Sequence, residues 1–285
     1  MTLRVPEELD VPVSGGALRV CRWGSPGEPA VVAFHGITAN AYSFLHLAEQ
    51  LDGVDLIAPD LRGRARSAGL PGPYGLGSHV DDFVATLDHL GVERAVVAGH
   101  SMGGFVAALA AVRHPDRVRS VLLIDGGVAF GVPIDGEIDE LLERVIGPAI
   151  TRLKMRFASR EEYLDFWRAH PALAGAWTPE VAAYALRDLD GDQSSCNVEA
   201  IREDAKDTLV HEETTTAYRT VTSPISLLRA ERGMLDEPTG LYGHFPVQGV
   251  AGELVPGVNH YTIVASAAGA AVVADRIRDL LSMGA

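Results

Sequence analysis

The chain has 285 residues, of which 47% are hydrophobic and 22% are charged, and its formal net charge is −14. This composition is typical of a globular protein and argues against a largely disordered chain. The acidic balance disfavours nucleic acid as a partner, because phosphate binding requires clustered lysines and arginines.

The first residues, MTLRVPEELDV, carry acidic side chains where a signal peptide would have its apolar core. No apolar run approaches the roughly eighteen residues of a membrane-spanning helix. We therefore expect a cytoplasmic protein with no membrane partner. The two cysteines, Cys21 and Cys196, indicate no disulfide framework.

Short apolar runs alternate with helix-length segments along the chain, and in order they read ALRVCRW, AVVAFHG, DLIAPD, AVVAGHS, SVLLIDGG and ISLLRA. Such runs, rich in Val, Leu and Ile, are typical of strands in a parallel sheet that is buried on both faces. The sequence therefore predicts an α/β fold with a mainly parallel, twisted sheet flanked by helices.

Two of the helices between these runs have clear boundaries. The segment SHVDDFVATLDHLGV predicts a helix that starts after Ser78 and stops at Gly91. The last predicted helix runs from roughly Ala265 to Leu281.

The region from Val132 to Thr216 contains helical patterns but no strong strand run. Ser159 and Glu162 form a capping box, and Thr178 precedes Pro179 at the start of another helix. We predict a helical cap at residues 132–216, inserted between a first core segment at 1–131 and a second at 217–285. Its aromatic residues could contact substrate, but the spacing favours packing for each of them: Phe157, Tyr163, Phe166, Trp167, Trp177 and Tyr184.

The motif GHSMG, residues 99–103, follows an apolar strand run and precedes an alanine-rich helix. This context matches the G-x-S-x-G nucleophile elbow, in which a sharp turn exposes a serine hydroxyl at the end of a sheet. Small neighbours are needed because the turn strains the backbone. Ser101 is therefore the candidate nucleophile.

Several further segments, together with this motif, resemble the α/β-hydrolase superfamily over nearly the whole chain: FHGITAN, PDLRGRARS, RHPDRVRSVLLIDG and VPGVNHYTI. One departure is Ala65, where the family usually has glycine. The resemblance implies that Ser101 is the nucleophile and His260 the general base. It also implies an oxyanion hole formed by the backbone N–H groups of Ile37 and Met102.

The acid that should orient His260 is ambiguous in the sequence. In most of the superfamily it follows the strand after the cap, but that place falls near Gly233 or Met234, and neither can serve. Three carboxylates remain candidates: Asp125, Glu231 and Asp236. We favour Asp125, because some members of the superfamily place the acid after the strand that follows the elbow helix.

The other histidines show no spacing suited to a metal site. His35 is expected to hold the shape of its loop, and His100 is expected to point away from Ser101. The three arginines at positions 62, 64 and 66 favour a structural loop held by buried carboxylates over a substrate clamp.

A serine at the elbow points to hydrolysis of a carboxylic ester, thioester or lactone with no cofactor and no metal. Epoxide hydrolases and haloalkane dehalogenases of the superfamily carry an aspartate at this position. The expected partner is a small to medium apolar substrate. The alternatives are C–C bond hydrolysis by the same triad and a non-catalytic ligand-binding homologue; the sequence predicts no oligomeric state.

Overall fold

A computed structural model describes residues 3–129, 138–243, 247 and 249–283. The strands in this part of the chain are β1 (Glu7–Val13), β2 (Gly16–Trp23), β3 (Ala30–Phe34), β4 (Asp55–Pro59), β5 (Ala95–His100), β6 (Val118–Ile124), β7 (Leu189–Asp190), β8 (Gln193–Ser194), β9 (Ile225–Arg232) and β10 (Gly252–Asn259). The α-helices are α1 (Leu45–Gln50), α2 (Leu76–Leu90), α3 (Met102–Arg113), α4 (Ile138–Leu153), α5 (Arg160–Arg168), α6 (Pro179–Asp188), α7 (Val198–Val210), α8 (Glu212–Thr216), α9 (Thr262–Ala265) and α10 (Ala267–Ser282).

Eight strands form one sheet in the order β1-β2-β4-β3-β5-β6-β9-β10. Strand β2 is antiparallel to both of its neighbours, and all other neighbouring pairs are parallel. The α/β fold class predicted from the sequence is confirmed.

The central strands are apolar along their whole length because both faces of the sheet are covered. In β5, Val97 packs on one side with Phe83 and Phe105 of α2 and α3. Its neighbour Val96 packs on the other side with Ile277 of α10. Full burial of an aliphatic side chain stabilises the fold by roughly 1.5–3 kcal/mol, so this two-sided core holds the strand ends rigidly.

The six apolar runs appear as β2, β3, β4, β5, β6 and β9, whereas two edge strands were not predicted. Strand β1 has only three alternating apolar residues, at Leu9, Val11 and Val13, among acidic ones. Strand β10 contains two glycines and Pro256, which disfavour strands but are tolerated at a sheet edge. Pairing with β2 and β9 respectively, rather than local preference, forms both strands.

Helix α2 begins at Leu76, earlier than the predicted start after Ser78. Its first N–H groups are bound by carboxylates from a distant helix, α7. Gly75 N–H donates to Asp204 and Leu76 N–H to Asp207, each at 2.8 Å. The groups that cap the N-terminus of α2 therefore come from a distant part of the chain, and the local sequence contains no residue that would predict this start.

Helices α4 to α8 lie between β6 and β9 in the chain, where the sequence predicts the cap. The predicted boundary at residue 132 falls outside the described residues. The side chain of Ser159 accepts from the N–H of Glu162, and that of Thr178 accepts from the N–H of Val181, so both predicted helix starts are confirmed.

Buried polar contacts tie this region to the core. Arg187 of α6 forms an ion pair with Asp60, which follows β4, and Asn40 donates to the carbonyl oxygen of Tyr184. None of the helices described here is long and apolar enough to cross a membrane.

Candidate active site

Ser101 stands between β5 and α3 with backbone angles φ 56° and ψ −123°. A positive φ strains a residue other than glycine, and such strain is common at functional sites. The turn is possible because its glycines lack side chains. A Cβ on Gly99 would lie 2.0 Å from the carbonyl oxygen of Gly103.

Asp125 and His260 come from different strand ends and meet beside this turn. Asp125 follows β6, and His260 lies between β10 and α9. The His260 Nδ1 atom is 2.7 Å from Asp125 Oδ2, while Asp125 Oδ1 accepts from the N–H of Ala230 at 3.0 Å. Because an ionised carboxylate only accepts, the Nδ1 atom carries the proton and Nε2 of the neutral ring is left as an acceptor.

The two alternative carboxylates bind other groups. Glu231 accepts from the backbone N–H of Gly257 at 2.8 Å. Asp236 forms an ion pair with Arg232 at 2.7 Å and accepts from Asn259 Nδ2 at 3.1 Å. Of the three candidate acids, the structure therefore brings only Asp125 to the imidazole.

The turn that carries His260 is fixed by its neighbour Asn259. The Asn259 side chain accepts from the N–H groups of Tyr261 and Thr262 at 3.0 and 2.9 Å. It also donates to the carbonyl oxygen of Ala172, in the region between β6 and β9. These bonds hold the ring in place before any substrate arrives.

Ser101, His260, Ile37 and Met102 all line one cavity of about 310 Å³. In the described part of the chain, no hydrogen bond joins the side chains of Ser101 and His260. Such bonds are often long in unliganded sites and tighten when substrate binds.

The two residues expected to form an oxyanion hole flank Ser101. Within the ranges that the structure describes, no hydrogen bond uses the backbone N–H of Ile37 or Met102. Met102 is the first residue of α3, where N–H groups have no acceptor within the helix. Gly36 packs against the serine, since a Cβ placed on it would lie 3.3 Å from Ser101 Cβ. Both residues with an unused donor therefore line the same cavity as Ser101.

The loop that carries Ile37 is held by His35 and Arg64. Leu61 N–H donates to His35 Nε2 at 3.0 Å, and the other ring nitrogen donates to the carbonyl oxygen of Gly36. Burial lowers the pKa of His35 to about 3. Arg64 Nε donates to the carbonyl oxygen of Ile37 at 2.9 Å. The expected structural role of His35 is confirmed by these contacts.

His100 lies closer to the site than the sequence suggests. Its ring lines the same cavity as Ser101 and packs against the His260 ring, with 4.7 Å between centroids. Its Nε2 atom donates to the carbonyl oxygen of His260 at 2.7 Å. Burial lowers its pKa well below the usual value, so the ring is neutral.

Two of the three arginines at positions 62, 64 and 66 have a structural role. Arg62 binds the carboxylate of Asp82, and Arg64 that of Asp204; both arginines are buried. Arg66 is exposed. The expectation of a loop held by buried carboxylates is confirmed for Arg62 and Arg64.

Five of the six aromatic residues named in the sequence pack together away from the cavity, and Tyr184 alone among those six lines it. Sequence reasoning missed several polar residues on the cavity wall, among them His46 and Glu180. Acidic residues are common in the first turn of a helix, so nothing in the sequence indicated that Glu180 lines a cavity.

The part of the chain that the structure describes contains no group of three or more His, Cys, Asp or Glu that could hold a metal ion. Cys21 and Cys196 are both buried and unpaired with each other.

Residues 29–145 match the model of the alpha/beta hydrolase fold family. Among curated proteins, the chain is 36% identical to the lipase LipV of Mycobacterium tuberculosis over 44% of this chain and 48% of that protein. It is 32% identical to epoxide hydrolase A of the same species over 67% of this chain and 58% of that protein. The chain thus spans about half the length of these two relatives.

A third relative matches over most of its length. The 2-(acetamidomethylene)succinate hydrolase of Mesorhizobium japonicum is 28% identical over 82% of both chains. The crystal structure of an E-2-(acetamidomethylene)succinate hydrolase superposes with a TM-score of 0.77 at 23% identity, over 97% of this chain and 99% of the other. The chain therefore has the α/β-hydrolase fold that the resemblance in its sequence implies.

Proposed function

We propose that this protein is a serine hydrolase that cleaves a carboxylic ester, thioester or lactone of a small to medium, mainly apolar substrate. One observation carries the proposal. A strained serine and a histidine bound to a buried aspartate at 2.7 Å line the same cavity.

In the proposed reaction, His260 Nε2 removes the proton of Ser101 as its Oγ attacks the ester carbonyl carbon. The oxyanion of the tetrahedral intermediate is stabilised by the N–H groups of Ile37 and Met102, at the positive end of α3. The protonated ring then donates its proton to the leaving alcohol, which leaves an acyl group on Ser101. Water, activated by the same ring, releases the acid.

Asp125 has two tasks in this scheme. It fixes the tautomer in which Nδ1 carries the proton, and it stabilises the imidazolium that forms when Ser101 is deprotonated. The second bond, from Ala230 N–H, keeps the carboxylate from rotating away.

The cavity supports an apolar substrate. None of the described residues that line it is an arginine or a lysine, and many are apolar, such as Val181, Leu209 and Val264. A substrate with carboxylates, such as the succinate in the name of the third relative, would find no arginine or lysine among them. The serine at position 101 also favours ester over epoxide chemistry, because the resemblance associates the latter with aspartate.

The proposal further assigns the insertion at residues 132–216 the role of a cap over the cavity. Its support is that Tyr184, Glu180 and Thr208 of α6 and α7 line the cavity together with Ser101. The partner would be a small ester-type molecule, and a cytoplasmic location remains the expectation from the sequence.

The test combines labelling and turnover. A fluorophosphonate should label the wild type at Ser101 but not Ser101→Ala, and p-nitrophenyl esters with short acyl chains should be hydrolysed by the wild type alone. Labelling without ester turnover would favour C–C bond hydrolysis, which needs the same three residues. An absence of labelling would overturn the nucleophile and leave a ligand-binding protein.

A further inference from the structure

One wall of the cavity carries a buried carboxylate. Glu180 is the second residue of α6, is 7% exposed and lines the cavity. Within the described ranges, no hydrogen bond reaches its side chain. Its carboxylate oxygens therefore have unused capacity to accept hydrogen bonds from a ligand in the cavity.

The neighbouring titratable side chain of His46 does not fill this capacity. Its Nε2 atom is 3.8 Å from Glu180 Oε2, which is too far for a hydrogen bond, and 3.2 Å from Thr178 Oγ1 instead. On its other side, His46 Nδ1 is buried without a hydrogen-bond partner, 3.6 Å from Glu49 Oε2. The imidazole therefore lies between two carboxylates and hydrogen-bonds to neither.

The electrostatic surroundings favour a cation at this wall. The described lining residues include no arginine or lysine, and the whole chain carries a net charge of −14. A cationic ligand group would provide the donors that Glu180 lacks, and charge-assisted bonds of this type are among the strongest in proteins.

We propose that Glu180 forms a subsite for a protonated amine carried by the substrate whose ester is bound at Ser101. The inference rests on the proposed function, because it assumes that the ester is bound at Ser101 in the same cavity. It narrows the substrate class to esters with an apolar chain that ends in an ammonium group.

Three p-nitrophenyl esters of similar length test this subsite: the cationic 6-aminohexanoate, the neutral heptanoate and the anionic monoester of adipic acid. The wild type should prefer the cationic ester to the neutral one in kcat/KM and should use the anionic ester least. In Glu180→Gln, which keeps the size of the side chain, the ratio of cationic to neutral kcat/KM should fall about tenfold.

Glu49→Gln is the matched control, because Glu49 lies against the other side of His46 but does not line the cavity. Its ratio should equal that of the wild type. An unchanged ratio in Glu180→Gln, or an equal fall in Glu49→Gln, would overturn the subsite.

A binding measurement separates this inference from the proposed function. Calorimetry with hexylammonium and with 1-hexanol needs no turnover. If no ester is hydrolysed, tighter binding of hexylammonium that Glu180→Gln abolishes would support the subsite and reject only the ester reaction. Equal binding of the two probes by the wild type would overturn the subsite.

Discussion

In the part of the chain that the structure describes, two buried pairs of aspartate and histidine occur in different regions. At the carboxyl edge of the sheet, Asp125 binds His260 at 2.7 Å. At the junction of α7 with α2, Asp204 binds His79 at 2.8 Å. Both aspartates are fully buried. The two distances are alike, but His260 binds its aspartate through Nδ1 and His79 through Nε2.

Their surroundings differ in two respects. Asp204 also binds the buried guanidinium of Arg64, and His79 is fully buried and does not line the cavity. Asp125 has only the N–H of Ala230 besides its histidine among the bonds described, and His260 lines the cavity with Ser101. Arg64 supplies the positive charge beside Asp204, whereas in the proposed function access to Ser101 would let the pair of Asp125 and His260 transfer a proton.

The largest expected effect comes from Asp125→Asn. Loss of the carboxylate removes the hydrogen-bond acceptor that fixes the His260 tautomer. The kcat/KM for a p-nitrophenyl ester should therefore fall by roughly 10⁴. Steady-state kinetics measures the fall, and circular dichroism confirms that the variant is folded.

The matched variants are Asp236→Asn and Glu231→Gln, which should each keep kcat/KM within a few-fold of the wild type. If one of them loses activity as predicted for Asp125→Asn, while Asp125→Asn itself is near normal, then Asp125 is not the acid.

Asp204→Asn should act on stability instead of activity. It leaves Arg64 buried without its countercharge, which should cost about 3 kcal/mol of unfolding free energy. Urea denaturation measures this cost, and the folded variant should keep most of its esterase activity.

The control for this variant is Asp192→Asn. Asp192 pairs with Arg156 at the surface, where both side chains are more than half exposed, so the change should cost less than about 1 kcal/mol. If Asp204→Asn cost no more than this control, the junction would not be held by the buried pair.

Acid should weaken the ion pairs of Asp204 and Glu8. Burial opposes the ionisation of Asp204, but Arg64 and His79 outweigh it and hold its pKa below the usual range. Burial likewise opposes the ionisation of Glu8, yet Arg187 and Arg19 lower its pKa to about 2. The stability from both groups is therefore present above about pH 4 and is lost as the pH falls below it.

Urea midpoints measured between neutral pH and pH 3 should show this decline. The curve of Asp204→Asn should fall less steeply, because one of the titrating groups is gone. Parallel curves for the two proteins would show that Asp204 contributes nothing to the acid sensitivity.

The smallest effect is expected from Ala65→Gly. Ala65 follows Arg64 and has φ 43°, a conformation that costs an alanine about 1 kcal/mol relative to glycine. The variant should be more stable by up to about that amount in urea denaturation, with unchanged ester turnover. A loss of stability would mean that the Ala65 methyl group contributes more by packing than it costs in strain.

Much of the fold could be predicted from the sequence because its signals are local. The central strands β3, β5 and β6 are continuous apolar runs, and the starts of α5 and α6 have capping residues. Strands β1 and β10 and the start of α2 were missed or misplaced, since distant partners form them. Asp204 and Asp207, more than a hundred residues away, cap α2.

The candidate site likewise has features with a local sequence signal and features that depend on distant partners. The sequence determined the serine at the elbow, because glycines at 99 and 103 are required by the turn itself. It also determined the α/β class, through the apolar runs. Only the tertiary structure decided which carboxylate meets His260, and which polar groups face the cavity. Asp125 and His260 are 135 residues apart, and no local pattern encodes a contact that forms only when strand ends are brought to one edge of a sheet.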